Sequence, residues 1–198
     1  QEFFYEFNIG SILQLLAIWD KGLSFWGAVA GIGYGIYRYA KKEKEEVSAW
    51  LDILSIALLG GMILGNIGAF FEGVNYGRET DLPWGMAFQN WYIPYTIPIH
   101  PSQLYAAIYT GAIFGILLYL LFREKLKNNG EISLWAIFSY SSMRFLEEFT
   151  RGEEKFILLG LRLEQYIALA GIIGSGIFLF LRYNNRRKPN IENTHENS

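Results

Sequence analysis

The sequence predicts an all-α polytopic membrane protein, and three observations carry that reading. Apolar residues come in five blocks close to the length of a membrane span. Clusters of Lys and Arg follow the first, third and fifth blocks. The chain is 52% hydrophobic and 17% aromatic over 198 residues, which fits one compact unit whose apolar residues are gathered into those blocks. A span requires about 20 mostly apolar residues, because a helix rises about 1.5 Å per residue and the hydrocarbon layer is roughly 30 Å thick.

The five predicted transmembrane helices lie over 23–39, 50–71, 103–122, 132–149 and 163–181. The fourth, "ISLWAIFSYSSMRFLEEF", is unusual in carrying Arg144, Glu147 and Glu148 in one half. Residues 1–22 are too interrupted to span and read as an external segment lying along the interface. The stretch 23–181 is the transmembrane domain, and 182–198 reads as a disordered cytoplasmic tail, with His195 an inert part of it. The first residue is Gln rather than Met, which suggests processing or truncation.

Orientation follows from the flanking cations. Arg38, Lys41, Lys42 and Lys44 follow the first block, Arg123, Lys125 and Lys127 the third, and Arg182, Arg186, Arg187 and Lys188 the fifth. The positive-inside rule puts these connections in the cytoplasm, so the N-terminus is outside and the C-terminus inside. The loop 72–102 and the connection 150–162 then face outward. A net charge of -2 gives no electrostatic case for nucleic acid. With no cysteine, the chain has neither a disulfide framework nor a thiolate of its own. Gly27, Gly31 and Gly35, then Gly61 and Gly65, then Gly111 and Gly115 recur at intervals of four, a spacing that suits close helix packing in lipid.

Ionisable groups inside a span cost about 2.5–3.5 kcal/mol on insertion scales, so each asks for a partner or a function. Arg144 and Glu148 stand at i, i+4, on one face, with Tyr140 a turn earlier. They form either a neutral packing pair or an anion site in which the planar guanidinium grips a lipid phosphate or carboxylate and the Glu orients it or handles a proton. The external loop adds Glu72, Asn75, Arg78 and Asp81, then His100 and Gln103 at the start of the third span. Gly73, Gly77, Gly85 and Pro83 predict a folded loop there rather than continued helix. Trp84, Trp91, Tyr92 and Tyr95 suit the headgroup layer.

Three motifs in order, "GNIGAFFEGVNYGRETDLPWGMAF", "HPSQLY" and "SMRFLEEFTRG", resemble those of the phosphatidylglycerol-prolipoprotein diacylglyceryl transferases. "SFWGAVAG" and "LRLEQYIALAGIIG" resemble that family too, so the likeness covers nearly the whole chain outside the tail. The resemblance implies a seven-span fold, of which this chain carries five spans with the orientation unchanged. It implies transfer of the diacylglyceryl group of phosphatidylglycerol to the thiol of a prolipoprotein's lipobox cysteine, with no metal and no cofactor, in the bacterial inner membrane. The partners it implies are phosphatidylglycerol, prolipoprotein signal peptides and membrane lipids.

Carried over residue by residue, the resemblance makes Arg144, Glu148 and His100 the catalytic candidates. Asn66, Glu72, Gly77, Arg78 and Gln103 become the lipid-binding ones. The chain departs from the family pattern at Asn66, where the family has a phosphate-binding Arg, and at Ala69, Val74 and Trp26, which replace Asn, Glu and His. Asn lacks the charge and fork of Arg, and the Trp indole donates a hydrogen bond but accepts no proton. The alternative function is therefore a catalytically impaired homologue acting as a lipid- or peptide-binding membrane scaffold.

Overall fold

The computed structural model describes residues 25–87, 97–126, 128–152, 157–158 and 160–187. The interfacial reading of 1–22, the aromatic residues Trp91, Tyr92 and Tyr95, and the Trp26 side chain lie outside the described residues; of the predicted tail 182–198, residues 182–187 are helical rather than disordered, and 188–198 with His195 lie outside the described residues. Five helices are described: α1 (Phe25–Glu43), α2 (Val47–Glu72), α3 (Ser102–Phe122), α4 (Glu131–Glu147) and α5 (Leu163–Arg187). Between α4 and α5, β1 (Ile157–Leu158) pairs antiparallel with β2 (Leu161–Arg162), turning at Gly160 with φ +81°. Each predicted span thus has its helix. Three of them, α2, α3 and α5 over Leu163–Asn185, are long and apolar enough to cross a membrane. α4 has only 17 residues, with Glu131, Arg144 and Glu147 among them, and α1 ends in a run of charge.

The chain divides into two compact units, Gln1–Trp50 and Leu51–Ser198. In the first, α1 stops where Lys44 takes φ +58° and the Glu45 N–H closes back on the Ala40 carbonyl at 2.9 Å. The Trp50 indole donates to the Glu45 carboxylate at 2.6 Å and meets Tyr39 edge-on, ring centroids 5.1 Å apart.

The second unit is an up-and-down arrangement with two distinguishable ends. At one end Asp52, early in α2, accepts from the Gly130 N–H at 2.6 Å and the Ser133 N–H at 2.8 Å, and Arg182, late in α5, donates to the Asn129 carbonyl at 2.6 Å. Gly130 stands at the N-cap of α4 with φ +88° and has no side chain to offer, so Asp52 satisfies the helix's orphan amides from a neighbouring helix. Leu59, Ile113, Leu117, Ile132 and Ala136 pack into the core that joins α2, α3 and α4. α4 and α5 approach closely where Gly171 faces Ser141 and Gly176 faces the Phe138 ring, and Ala168 and Ser175 are buried seven residues apart on one face of α5. Of the glycines spaced by four, Gly61, Gly65 and Gly115 have open space where a side chain would stand. Packing contacts fall at Gly111 of that series, which meets Ile63, and outside it at Gly60, Gly171 and Gly176. Large apolar side chains such as Leu64, Phe71 and Phe122 are 72%, 81% and 80% exposed, which fits helices solvated by lipid rather than water.

Candidate functional site

The polar chemistry gathers at the other end of this unit, where α2 finishes, α3 and α5 begin, and α4 ends. Backbone pairing builds the frame. The Gly77 N–H donates to the His100 carbonyl at 3.0 Å, and the His100 N–H donates to the Arg78 carbonyl at 2.9 Å. On its other side the same strip meets the end of α4: Arg78 N–H to the Thr150 carbonyl at 2.8 Å, Gly152 N–H to the Tyr76 carbonyl at 3.1 Å. A Cβ on Gly77 would overlap both His100 and the Thr150 carbonyl, and one on Gly152 would overlap the Gly77 carbonyl. Three chain segments can run this close only because two glycines leave the backbone bare. Side chains fasten the strip from α3: Ser102 Oγ donates to the Asn75 carbonyl at 2.6 Å and Gln103 Nε2 to the Val74 carbonyl at 2.7 Å.

Against this frame lies a cluster of charges. Arg144 sends Nη1 to Glu147 Oε1 at 2.8 Å and Nη2 to Glu148 Oε2 at 3.1 Å. Glu148 is fully buried, and its other oxygen takes Arg162 Nη1 at 3.0 Å. Arg162 also donates to the Arg151 carbonyl at 3.0 Å, and Arg151 reaches Asn75 Oδ1 at 2.7 Å and Glu147 Oε1 at 3.6 Å. Tyr109, from α3, donates its hydroxyl to Glu147 Oε2 at 2.7 Å. Arg78 Nε joins at the edge, donating to the Arg151 carbonyl at 3.0 Å. Three guanidiniums, Arg144, Arg151 and Arg162, face two carboxylates, Glu147 and Glu148, so these five side chains carry one positive charge in excess. Guanidiniums of this kind have the donors to grip a phosphate or carboxylate. Arg144, 21% exposed, is its most open guanidinium, against 4% for Arg151 and 8% for Arg162.

The sequence candidates divide between this cluster, its frame and places apart from both. Arg144 and Glu148 lie at its centre, with Arg78 at its edge. Gly77 and Gln103 are frame residues. His100 contributes its backbone to the frame, while its ring belongs to a separate chain: Trp84 Nε1 donates to the Tyr105 hydroxyl at 2.8 Å, and that hydroxyl stands 3.1 Å from His100 Nδ1. The Tyr105 hydroxyl accepts from the indole, and the direction of its hydrogen bond with His100 Nδ1 is set by the imidazole tautomer. Glu72 is the exposed last residue of α2. Asn66 donates to its own helix, to the Met62 carbonyl at 2.9 Å. Among the described residues, no group of three His, Asp or Glu side chains is placed to hold a metal ion.

The sequence places Arg151 and Arg162 only within the outward connection 150–162 and Glu147 only as a charge within the fourth span, and nothing in it singles out Tyr109. A signal existed for two of them: Arg144, Glu147, Glu148 and Arg151 share a stripe at i, i+3, i+4 and i+7. Tyr109 and Arg162 come from other elements, and no local spacing points to them.

A helical membrane protein with a buried arginine–glutamate cluster at one end of its helices is the class that fold and site define. Comparison with known sequences makes it particular. The family model described as prolipoprotein diacylglyceryl transferase matches residues 2–181, and the chain belongs to that family. Similar proteins include the phosphatidylglycerol-prolipoprotein diacylglyceryl transferase of Polynucleobacter necessarius, 33% identical over 185 residues, 92% of this chain and 69% of that protein. The proteins of the same name from Cupriavidus metallidurans and Campylobacter lari are 33% and 34% identical over 174 and 171 residues, 86% and 85% of this chain. The chain spans 63% and 60% of those two, so it covers about two thirds of the length of the relatives it matches.

Proposed function

We propose that this chain is a bacterial inner-membrane enzyme that transfers the diacylglyceryl group of phosphatidylglycerol to the cysteine thiol of prolipoprotein signal peptides. Membership of the family supports the reaction class, and the observation that carries the site is Arg144, the most open guanidinium of the cluster, held between Glu147 and Glu148. In the reaction a sulfur–carbon bond forms at the glycerol carbon, the carbon–oxygen bond to phosphate breaks, and glycerol phosphate leaves with the electron pair. The demand on the protein is a fixed donor array for the charge growing on that phosphate. Arg144 supplies it, with Arg78 beside the cluster in reserve for the headgroup. With Asn66 turned back on Met62, the phosphate contact falls to these arginines.

The thiol proton is assigned to Glu148 Oε2. That oxygen is ion-paired with Arg144 but has no aligned hydrogen-bond donor among the described residues, so it keeps an acceptor site beside the guanidinium. His100 fits the role less well, because its Nδ1 faces the Tyr105 hydroxyl. Gln103 Oε1 is buried without a partner among the described residues, which suits a hydroxyl of the glycerol headgroup. Five spans with the N-terminus outside put the cluster at the outer face, where a prolipoprotein cysteine emerges.

The test is direct. Full-length protein in vesicles containing phosphatidylglycerol is given a lipobox peptide, and the thioether-linked diacylglyceryl mass is sought on the peptide. Transfer is expected, with a loss of about 10²–10³-fold in Arg144→Ala. Binding of phosphatidylglycerol without any transfer would overturn the enzyme reading in favour of a lipid-binding scaffold.

A further inference from the structure

Glu147 is the carboxylate of the cluster that ties Arg144 to a neighbouring helix. It is the last residue of α4, its side chain is 4% exposed, and it does two things at once. Oε1 holds Arg144 Nη1 at 2.8 Å, and Oε2 receives the Tyr109 hydroxyl at 2.7 Å. Tyr109 is itself held, its ring 5.9 Å from that of Tyr140. The result is a strut from α3 to the guanidinium of α4.

From this geometry we infer that Glu147 and Tyr109 are positioning residues for Arg144, an inference that rests on the reading of Arg144 as the lipid-phosphate contact. A guanidinium has five N–H donors in a rigid plane. Arg144 meets one carboxylate at each terminal nitrogen, Glu147 at Nη1 and Glu148 at Nη2. Contacts to two different residues fix the plane of the fork and leave its other N–H groups for an anion. A long side chain held this way loses little further freedom when it binds phosphate, and its donors already point where the charge will sit. Glu148 is braced from behind by Arg162, and Glu147 by Tyr109. Each anchor therefore has its own support.

A simple counter-ion predicts the opposite sign from a positioning residue. Removing a negative charge beside Arg144 makes the site more positive, so if charge were all that mattered, Glu147→Gln would tighten anion binding. Loss of positioning weakens it. Tyr109→Phe changes no charge and barely changes shape, so a charge-only role leaves it silent.

The experiment measures binding of short-chain phosphatidylglycerol, with short-chain phosphatidylcholine as the comparison lipid, to the full chain in detergent. It uses the wild type, Tyr109→Phe, Glu147→Gln, the double variant and Arg144→Ala. Expected are a weakening of about tenfold in Glu147→Gln, several-fold in Tyr109→Phe, and a double variant no worse than Glu147→Gln alone, because Tyr109 acts through Glu147. Tighter binding in Glu147→Gln, no change in Tyr109→Phe, or losses that multiply in the double variant would each overturn the proposal. If Arg144→Ala abolishes binding while the other two variants bind normally, the strut alone fails. If Arg144→Ala binds as well as the wild type, the phosphate reading of Arg144 fails and the strut falls with it.

Discussion

The carboxylate of Asp52, within the apolar helix α2, accepts the backbone N–H of Gly130 at 2.6 Å across 78 positions of sequence. It is 8% exposed and also takes the Ser133 N–H, so a single acid closes the open end of α4 from outside that helix. This explains an acidic residue in a membrane helix without invoking chemistry. Asp52→Ala should lower the stability of the α2–α4 contact by about 1–3 kcal/mol, the range for charged hydrogen bonds and lost caps. Thermal unfolding in detergent would register it. Cleavage by added protease should rise at the connection before Gly130.

Gly77→Ala should be worse than its size suggests. The added methyl would meet His100 and the Thr150 carbonyl, and the strip pairs on both sides, so it cannot shift away from one neighbour without striking the other. Overpacking of this kind costs about 1–3 kcal/mol. Unfolding in detergent checks the cost, and lipid transfer should fall with it because the strip carries Arg78.

Arg162→Ala should destabilise the protein more than Arg144→Ala. Arg162 is buried and braces the fully buried Glu148, whereas Arg144 is the most open of the three guanidiniums. Leaving a buried carboxylate without one of its partners costs about 3–5 kcal/mol. Comparing the two melting curves in the same detergent tests the order; equal shifts would mean that Glu148 is supported some other way.

Arg144→Lys should fail to restore transfer. An ammonium is a point charge and cannot meet Glu147 and Glu148 with separate nitrogens while presenting a planar fork to phosphate. Activity within tenfold of the wild type would argue that charge alone suffices at this position.

Asn66→Ala should leave transfer nearly unchanged, with a stability change of about 0.5 kcal/mol or less. Its side chain serves only its own helix among the described contacts, donating to Met62. A large loss of transfer in this variant would return Asn66 to the lipid site.

The sequence by itself determined the class and the family, and it put Arg144 and Glu148 on one face. Apolar block length follows from helix rise and bilayer thickness, so the helices were legible one by one, and i, i+4 spacing was enough to pair Arg144 with Glu148. Motif order identified Gly77, Arg78 and Gln103 as belonging with them. Only the tertiary structure decided which of these touch and which merely hold the frame. Arg162 arrives from the hairpin before α5, Tyr109 from the middle of α3, and Asp52 reaches Gly130 from another helix, all contacts between elements distant in sequence. Of the four-residue ladder Gly111 meets a neighbouring helix, while Gly60, Gly171 and Gly176 outside it also do, because close approach depends on which helix faces lie together. Spacing along one helix fixes which residues share a face; it says nothing of what the neighbouring helix brings to meet them.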